Sequence, residues 1–406
     1  MEIRPIKPEE KIMTEKIESI AFLFKKDFNA VQNNGKESDD LSKGSEEKAD
    51  AYKTGRAAFD ENGKMCSCLQ LMPFEVQFDG SIVPMGGIGG VASLPEEREK
   101  SSIRSIFEHS MQEMYEKGYV FSFLYPFSHP FYRKFGYELN MTPVSYNIPL
   151  ADFKHFTQSG RLKMYTKDMD SSDIKSVYNE YIKDKNLAVI RTGKLWDMFL
   201  EKDPYKDNVY LYIWYDKIGK ARGYIQFSAN PAYESKCNML VSELIWLDRE
   251  ALSGIFAFIG KLTAQMDRMI WRAPSFLNLL PLFPEPYDIK QEKLTRGMNR
   301  IVNVEKALGL MSVPEGAGEV VIGVEDSFFP VNSDSYRVEW DNGRLSADRT
   351  NAEPDMLCDV QALSQLVTGF LSVEELKLAG RLDIKRNEKL LVKVFPKKKL
   401  FISNYF

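Results

Sequence analysis

The sequence predicts an α+β chain of three successive units: two built on mixed, mostly antiparallel sheets with flanking helices, and a third, smaller α+β unit. Three observations carry this expectation. A strand, turn, helix and second strand follow one another between Pro84 and Tyr137, the same order restarts after Ser145, and after Lys293 the pattern changes to short strands joined by hairpin turns. The boundaries expected are 1–145, 146–293 and 294–406.

Length agrees with several units, because 406 residues exceed a typical single core. Hydrophobic content of 44% and charged content of 28% are those of a soluble globular protein. A net charge of −4 argues against nucleic acid as the main partner. No run approaches the length of a membrane span, and the N-terminus goes straight into charged sequence, so neither a membrane partner nor a signal peptide is expected. Cys66 and Cys68 are too close for an easy mutual bridge, and Cys237 and Cys358 stand far away; reduced thiols and a cytoplasmic location follow.

Met1 to Arg4 reads as a strand and Pro8 to Lys25 as a helix, with Ile12, Ile17, Ile20, Ala21 and Phe24 on its apolar side. Asp27 and Phe28 offer a carboxylate for a cationic substrate and an aromatic wall, or else an exposed charge beside a core ring. Gln32 to Asp50 is polar and charge-rich and reads as a mobile loop or an irregular helical piece over the surface. Strands Ala57–Asp60, Lys64–Phe78 and Ile82–Ser93 form a meander, with Cys66 and Cys68 on one strand face as core residues and no metal site.

The chemistry is expected at the turn that follows. Pro95 opens it; Ile103, Ile106, Phe107, Met111 and Met114 recur at helical spacing; Gly118 closes the helix. A polar turn with Arg98 and small residues at a helix N-terminus can hold an anion such as a pyrophosphate, since unpaired amides and the positive end of the macrodipole meet there. An amphipathic helix after an ordinary strand is the alternative. Beyond the next strand, Tyr119–Tyr125, comes Phe131-Tyr132-Arg133-Lys134-Phe135-Gly136-Tyr137.

These two runs resemble the acyl-CoA-binding motif of the GNAT acetyltransferase superfamily, (Gln/Arg)-x-x-Gly-x-(Gly/Ala), and its later Tyr-x-x-(Phe/Tyr)-Gly-(Phe/Tyr) run. Arg98 holds the first position, Ser101 stands where the family has Gly, and Ile103 where it has Gly or Ala. The resemblance implies acetyl-CoA as co-substrate, no metal, and Tyr132 as the acid. It places Val91, Ala92 and Ser93 at the pantetheine and oxyanion, Arg98, Glu99, Lys100, Ser101 and Ser102 at the pyrophosphate, and Phe127 beside the cofactor. His109 and His129 are alternatives for base duty.

The second unit repeats the order: strands Leu162–Tyr165, Asn208–Tyr215, Ala221–Phe227 and Asn238–Trp246, with helices at Asp168–Ile182 and Glu250–Met266. It resembles a degenerate GNAT unit, because Asp248 and Glu250 at the matching turn oppose a phosphate. In the third unit a helix is expected to start at Arg300, strands at Glu319–Val324, Ser335–Trp340, Gly343–Asp348 and Met356–Asp359, hairpin turns at Asp341–Gly343 and Asn351–Ala352, helices at Val360–Thr368 and Ser372–Leu378, and a last strand at Leu390–Phe395. That order resembles a sterol-carrier-protein-like domain.

Tandem GNAT folds followed by a sterol-carrier-like domain resemble the enhanced intracellular survival (Eis) family of N-acetyltransferases over essentially the whole chain. The family implies acetyl transfer to a primary amine, on an aminoglycoside-like polycation or a lysine side chain, in a hexamer. It also implies that the C-terminal carboxylate, here Phe406, reaches the active site as the base, with Tyr405 beside the substrate. A final edge strand docked on the third unit is the other reading of the apolar tail. A ternary complex without an acetyl-enzyme is expected, because no Cys or Ser with an adjacent base stands out. A non-catalytic GNAT-shaped scaffold and lipid carriage by the third unit are the competing functions.

Overall fold

The computed structural model describes residues 1–28, 51–98, 101–232 and 235–404. The polar segment 32–50 therefore lies outside the described residues. The first unit runs β1 (Glu2–Pro5), α1 (Lys11–Phe22), β2 (Gly55–Phe59), β3 (Met65–Phe78), β4 (Ser81–Ser93), α2 (Ser102–Glu116), β5 (Phe121–Leu124), α3 (His129–Arg133) and β6 (Glu138–Met141). The chain then changes sheet. The second unit runs β7 (Val144–Pro149), β8 (Arg161–Met164), α4 (Ser172–Ile182), α5 (Gly193–Leu200), β9 (Val209–Tyr215), β10 (Ala221–Ala232), β11 (Ser235–Trp246), α6 (Arg249–Lys261), β12 (Met266–Ala273) and β13 (Lys290–Lys293). Next come β14 (Gly297–Ile301), α7 (Val304–Gly309), β15 (Ala317–Glu325), β16 (Asp334–Asp341), β17 (Arg344–Thr350), β18 (Met356–Asp359), α8 (Val360–Val367), α9 (Val373–Leu378), β19 (Leu382–Ile384) and α10 (Glu388–Val394).

Three sheets result, in the orders β1-β2-β3-β4-β5-β14-β6, β13-β7-β12-β11-β10-β9-β8 and β17-β16-β15-β18-β19. Each of the first two is antiparallel except for one pair, β4 with β5 and β11 with β12, and a helix bridges that pair in each case. The repeat expected from the element order is thus visible as topology.

The main departure from the sequence reading is β14. Arg300 was expected to start a helix, but it lies in a strand that pairs with β5 on one side and β6 on the other. Its guanidinium is wholly buried, 2.5 Å from Asp326 and donating to the Phe135 carbonyl. The helix begins only at Val304, where Asn303 caps it by accepting from the Lys306 amide at 3.0 Å.

Smaller differences have local causes. Leu390–Phe395 is helix rather than strand, because burial of Leu391 and Val394 three residues apart selects helical spacing over alternation. The helix expected to run to Met266 stops at Lys261, and β12 begins at Met266. The turn at Asn351–Ala352 is no hairpin, since β16 and β15 stand between β17 and β18. On α1, Ile17 is buried while Ile20 is exposed, and Phe24 is exposed beyond the helix end.

The largest core joins the first sheet to the third unit. Phe121 and Phe123 of β5 and Met85 of β4 pack with Ile322, Leu363 and Leu366, all buried. Each such side chain contributes about 1.5–3 kcal/mol. The other face of the first sheet carries α2, through Leu69, Leu71, Ile88, Ile106, Phe107 and Met111. A smaller cluster of Ile17 with Ala57, Phe59, Cys68 and Ala92 fixes α1 on the face opposite α2.

Candidate active site

The site starts where two strands part. β4 and β5 pair in parallel over Met85–Ile88 and Phe121–Leu124; β5 then ends, and β4 continues alone on that side to Ser93. Its backbone groups beyond Ile88 therefore have no strand partner toward β5. On its other side β4 pairs with β3 through an irregularity between Cys68 and Gln70, opposite Gly89–Ala92, where Gly90 takes φ +56°. Such a bulge re-aims the strand locally.

Beside the parting begins α2. Its N-cap Ser101 has φ 63° and ψ 6°, the left-handed conformation that glycine adopts freely. Ser101, at the position where the resemblance has Gly, thus takes a conformation open to Gly. Ser102 is buried, its Oγ 2.5 Å from that of Ser67, and Ser67 Oγ donates to Ser93 Oγ at 3.1 Å. Three hydroxyls on β3, β4 and α2 so tie the start of the helix to the sheet. In the first turn of a helix the amides have no acceptor within the helix, and their positive end faces outward.

A cavity of about 720 Å3 lies at this helix start. Of the residues read from sequence as cofactor-binding, Val91, Ala92, Ser93, Arg98, Ser101, Ser102 and Phe127 line it. Glu99 and Lys100 lie outside the described residues. The sequence reading missed Arg104 and Lys134, which join Arg98 in the lining against the single acid Glu97. Their signal was weak, since each looked like an ordinary surface cation. The α1 wall is Ala21 and Phe22; Asp27 and Phe28 are not in the lining. Asp27 is exposed, and Lys16 and Lys26 stand 5.8 Å from the Phe28 ring.

Tyr132 sits on α3, which Ser128 caps by accepting from the Phe131 amide at 3.4 Å. It is 3% exposed and meets Phe127, Phe131 and Phe107 edge-on, with ring centroids 5.4, 5.1 and 6.1 Å away. Burial, and then Tyr137, push its phenol well above the usual value. The phenol therefore stays protonated throughout the working range. Proton transfer to a thiolate from it is further from balance than the unperturbed values suggest. His109 is exposed on α2, and the buried Nε2 of His129 has no hydrogen-bond partner among the described residues.

The tail settles one of the two sequence readings for its described part. It forms no strand of the third sheet. The Lys399 carbonyl accepts from the Asn186 amide at 2.8 Å, and the Phe401 amide donates to the Asn186 carbonyl at 3.0 Å. Phe401 is buried against Tyr178 and Tyr181 of the second unit. Arg191, paired with Glu243 through both guanidinium nitrogens, also donates to Ser403 Oγ at 2.9 Å and Asn404 Oδ1 at 3.2 Å. Tyr125 Oη, one residue past β5, donates to the Asn404 carbonyl at 2.8 Å. The chain thus leaves the third unit, crosses the second and arrives beside the parted strands. Tyr405 and Phe406 lie outside the described residues.

Among the described residues no group of three or more His, Cys, Asp or Glu is arranged to hold a metal, and no helix is long and apolar enough to cross a membrane. Cys66 and Cys68 are buried, and burial raises both thiols.

Comparison with known proteins agrees with this geometry. Residues 3–140 and 187–301 each match an acetyltransferase (GNAT) domain model, and residues 304–403 match a sterol carrier protein domain model. An uncharacterized N-acetyltransferase of Streptomyces avermitilis is 22% identical over 321 residues, 74% of this chain and 76% of its own length. Among solved structures, a GCN5-related N-acetyltransferase from Anabaena variabilis superposes with a TM-score of 0.84 at 22% identity, covering 100% of both chains. A protein from Enterococcus faecalis described as a probable N-acyltransferase gives 0.84 at 24% identity, covering 100% of this chain and 99% of its own. Eis1 from Mycobacterium abscessus gives 0.80 at 18%, again over 100% of both. With two GNAT matches over more than half its length and a sterol-carrier match after them, the chain belongs to the GNAT acetyltransferase superfamily, and it shares its three-unit fold with Eis1.

Proposed function

We propose that the chain is an acetyl-CoA-dependent N-acetyltransferase that moves an acetyl group to a primary amine by direct attack in a ternary complex. The observation that carries this reading is the parting of β4 from β5 beside the N-terminus of α2, with the 720 Å3 cavity at that point. An extended thioester fits such a place. Its diphosphate meets the first turn of α2 with Arg98, Arg104 and Lys134, while the open backbone of Val91–Ser93 can take the pantetheine amide and the developing oxyanion.

In the step itself the neutral amine attacks the thioester carbonyl, a C–N bond forms, and the C–S bond breaks with its electron pair on sulfur. The phenol of Tyr132 is the proton donor to that sulfur, burial keeps it protonated for the task, and the proton that the nitrogen sheds as the amide forms restores the phenol. For the ammonium proton the family resemblance supplies the Phe406 carboxylate, and the course of the tail as far as Asn404 supports its approach. Asp27, Phe28 and Tyr405 belong to the acceptor side in the same reading. The left-handed Ser101 favours cofactor binding over a non-catalytic scaffold, because it keeps the path a phosphate needs. Four free thiols suit a cytoplasmic setting. A hexamer rests on the resemblance alone and is read by light scattering.

Calorimetry with acetyl-CoA, followed by thiol release against a panel of aminoglycosides, polyamines and lysine peptides, tests the proposal. Saturable binding and amine-dependent thiol release are expected. No binding, or binding without thiol release on any amine, overturns it.

A further inference from the structure

The second unit repeats the parting of strands that frames the first site. β11 pairs with β12 only as far as Val241 and Trp271, then runs on to Trp246, and α6 follows. Here the parting is taken. Residues 400–403 of the tail share a cavity of about 290 Å3 with residues 241–244 and Trp271, and Phe401 clusters with Tyr178, Tyr181 and Ile245. One residue earlier, Lys399 lines a different and larger cavity of about 730 Å3 at the turn from Trp246 to Arg249. The tail occupies the slot between the strands and leaves the space beyond it to a short ligand.

That larger cavity is cationic, in a chain whose net charge is −4. Lys185, Lys220, Arg222, Arg249 and Lys399 line it against three acids, Glu180, Asp184 and Asp248, which leaves two positive charges in excess. The acids are already engaged. Asp184 pairs with Lys185 at 2.5 Å and Lys399 at 2.8 Å, and Glu180 pairs with Lys183, outside the lining, at 2.6 Å. Asp248 pairs with Arg222 at 2.8 Å and caps α6 by accepting from the Ala251 amide at 2.8 Å. Glu250, read from sequence as opposing a phosphate, does not line the cavity. Among the described residues the side chains of Lys220 and Arg249 have neither a hydrogen bond nor an ion pair. Lys185 is 7% exposed, donates to the Tyr181 carbonyl and stands 3.7 Å from the centroid of the Tyr181 ring. Burial lowers its ammonium, Asp184 opposes that, and Lys399 adds to it. A buried ammonium that shares its carboxylate with a second lysine is incompletely compensated, and an anion in the cavity would complete it.

The rest of the wall is apolar. Trp246 and Phe276 are half-buried there, so each shows part of its ring to the cavity, with Leu247 and Leu277 beside them. Planar rings stack on such surfaces, and a phosphate monoester carries about −2 charge at neutral pH, which matches the excess. We infer that this cavity is a second ligand site, for a small phosphate monoester bearing a planar ring, as a nucleoside monophosphate does. The phosphate lies among Lys185, Lys220, Arg249 and Lys399, and the ring lies on Trp246 and Phe276. A cavity of this size is in the range of small-molecule sites. The site stands apart from acetyl transfer, since none of its lining residues lines the cavity at α2.

The test is calorimetry on the full chain, with acetyl-CoA in excess so that nucleotide does not report on the cavity at α2. AMP, GMP, CMP and UMP are titrated, with ribose 5-phosphate, adenosine and inorganic phosphate as partial probes. At least one nucleotide is expected to bind once per chain, about tenfold more tightly than any partial probe. Lys220→Glu combined with Arg249→Glu should weaken that binding about tenfold, and Trp246→Leu should reduce it to the level of ribose 5-phosphate. Both reversed side chains are exposed, and an acid in the first turn of α6 suits the helix dipole, so an unchanged Tm is expected. No nucleotide binding, binding that survives the double charge reversal, or ribose 5-phosphate binding as tightly as the nucleotides overturns the inference. The variants locate the site whether or not the chain binds acetyl-CoA, so failure here leaves the acetyltransferase reading standing.

Discussion

Tyr125 Oη donates to the carbonyl of Asn404 at 2.8 Å, which fastens the tail to the end of β5. Tyr125→Phe removes one hydrogen bond worth about 1 kcal/mol and leaves the ring packing on Phe123 in place. A small fall in Tm, a larger fall in kcat and an unchanged KM for acetyl-CoA are expected. Equal kcat values for the two proteins would separate the tail from the chemistry.

Arg191 is the second fastening, and a heavier one. Its guanidinium and Glu243 are both nearly inaccessible, at 2.9 and 2.5 Å. Arg191→Ala leaves that carboxylate buried without a cation, at a cost of about 3–5 kcal/mol. Denaturant melts of Arg191→Met, Glu243→Gln and the double variant should show the pair losing less together than the two singles summed.

Ser101→Gly keeps the path and removes a side chain from the left-handed region. About 1 kcal/mol of strain is relieved, so Tm should rise while KM for acetyl-CoA does not. A fall in Tm would mean that the serine side chain stabilises the turn more than its φ costs.

Tyr132→Phe should lower kcat about 100-fold with little change in Tm, since the ring contacts are retained. Because burial lifts the phenol, wild-type activity should show no loss from this group up to pH 10. An alkaline decline well below that, absent in Tyr132→Phe, would contradict the environment described for it.

Arg56 binds both oxygens of Glu113, at 2.6 and 2.7 Å, with Lys117 at 2.6 Å from the same carboxylate, and holds its pKa at about 2 against an ordinary 4.5. A depressed acid stabilises the fold above its unfolded value and loses that contribution as pH falls from 4.5 toward about 2. Glu113→Gln should therefore melt lower than wild type at pH 7, with the difference closing over that window. Thermal melts across pH 2–7 check it.

Local pattern was enough wherever neighbours in sequence are neighbours in space. Pro95, the helical spacing from Ile103 to Met114 and the Tyr132 run marked the parted strands and their helix; seven of the residues expected at the cofactor line one cavity there, and Tyr132 itself is not in that lining. Pairing between distant segments was beyond its reach. Nothing in Gly297–Ile301 says that its partners are Phe121–Leu124 and Glu138–Met141. Leu390–Phe395 is a short apolar run that suits a strand as well as a helix, and only the burial of Leu391 and Val394 decides for helix.

Because β14 fills the slot between β5 and β6, the half of the molecule that holds the cavity is unfinished when the ribosome has made only its own residues. Until the chain has been synthesised as far as Ile301, β5 and β6 present open edges able to pair with another nascent chain. A gene fragment ending near residue 145 should therefore yield aggregate rather than a small working enzyme, and recombination between relatives must carry Gly297–Ile301 together with the first unit.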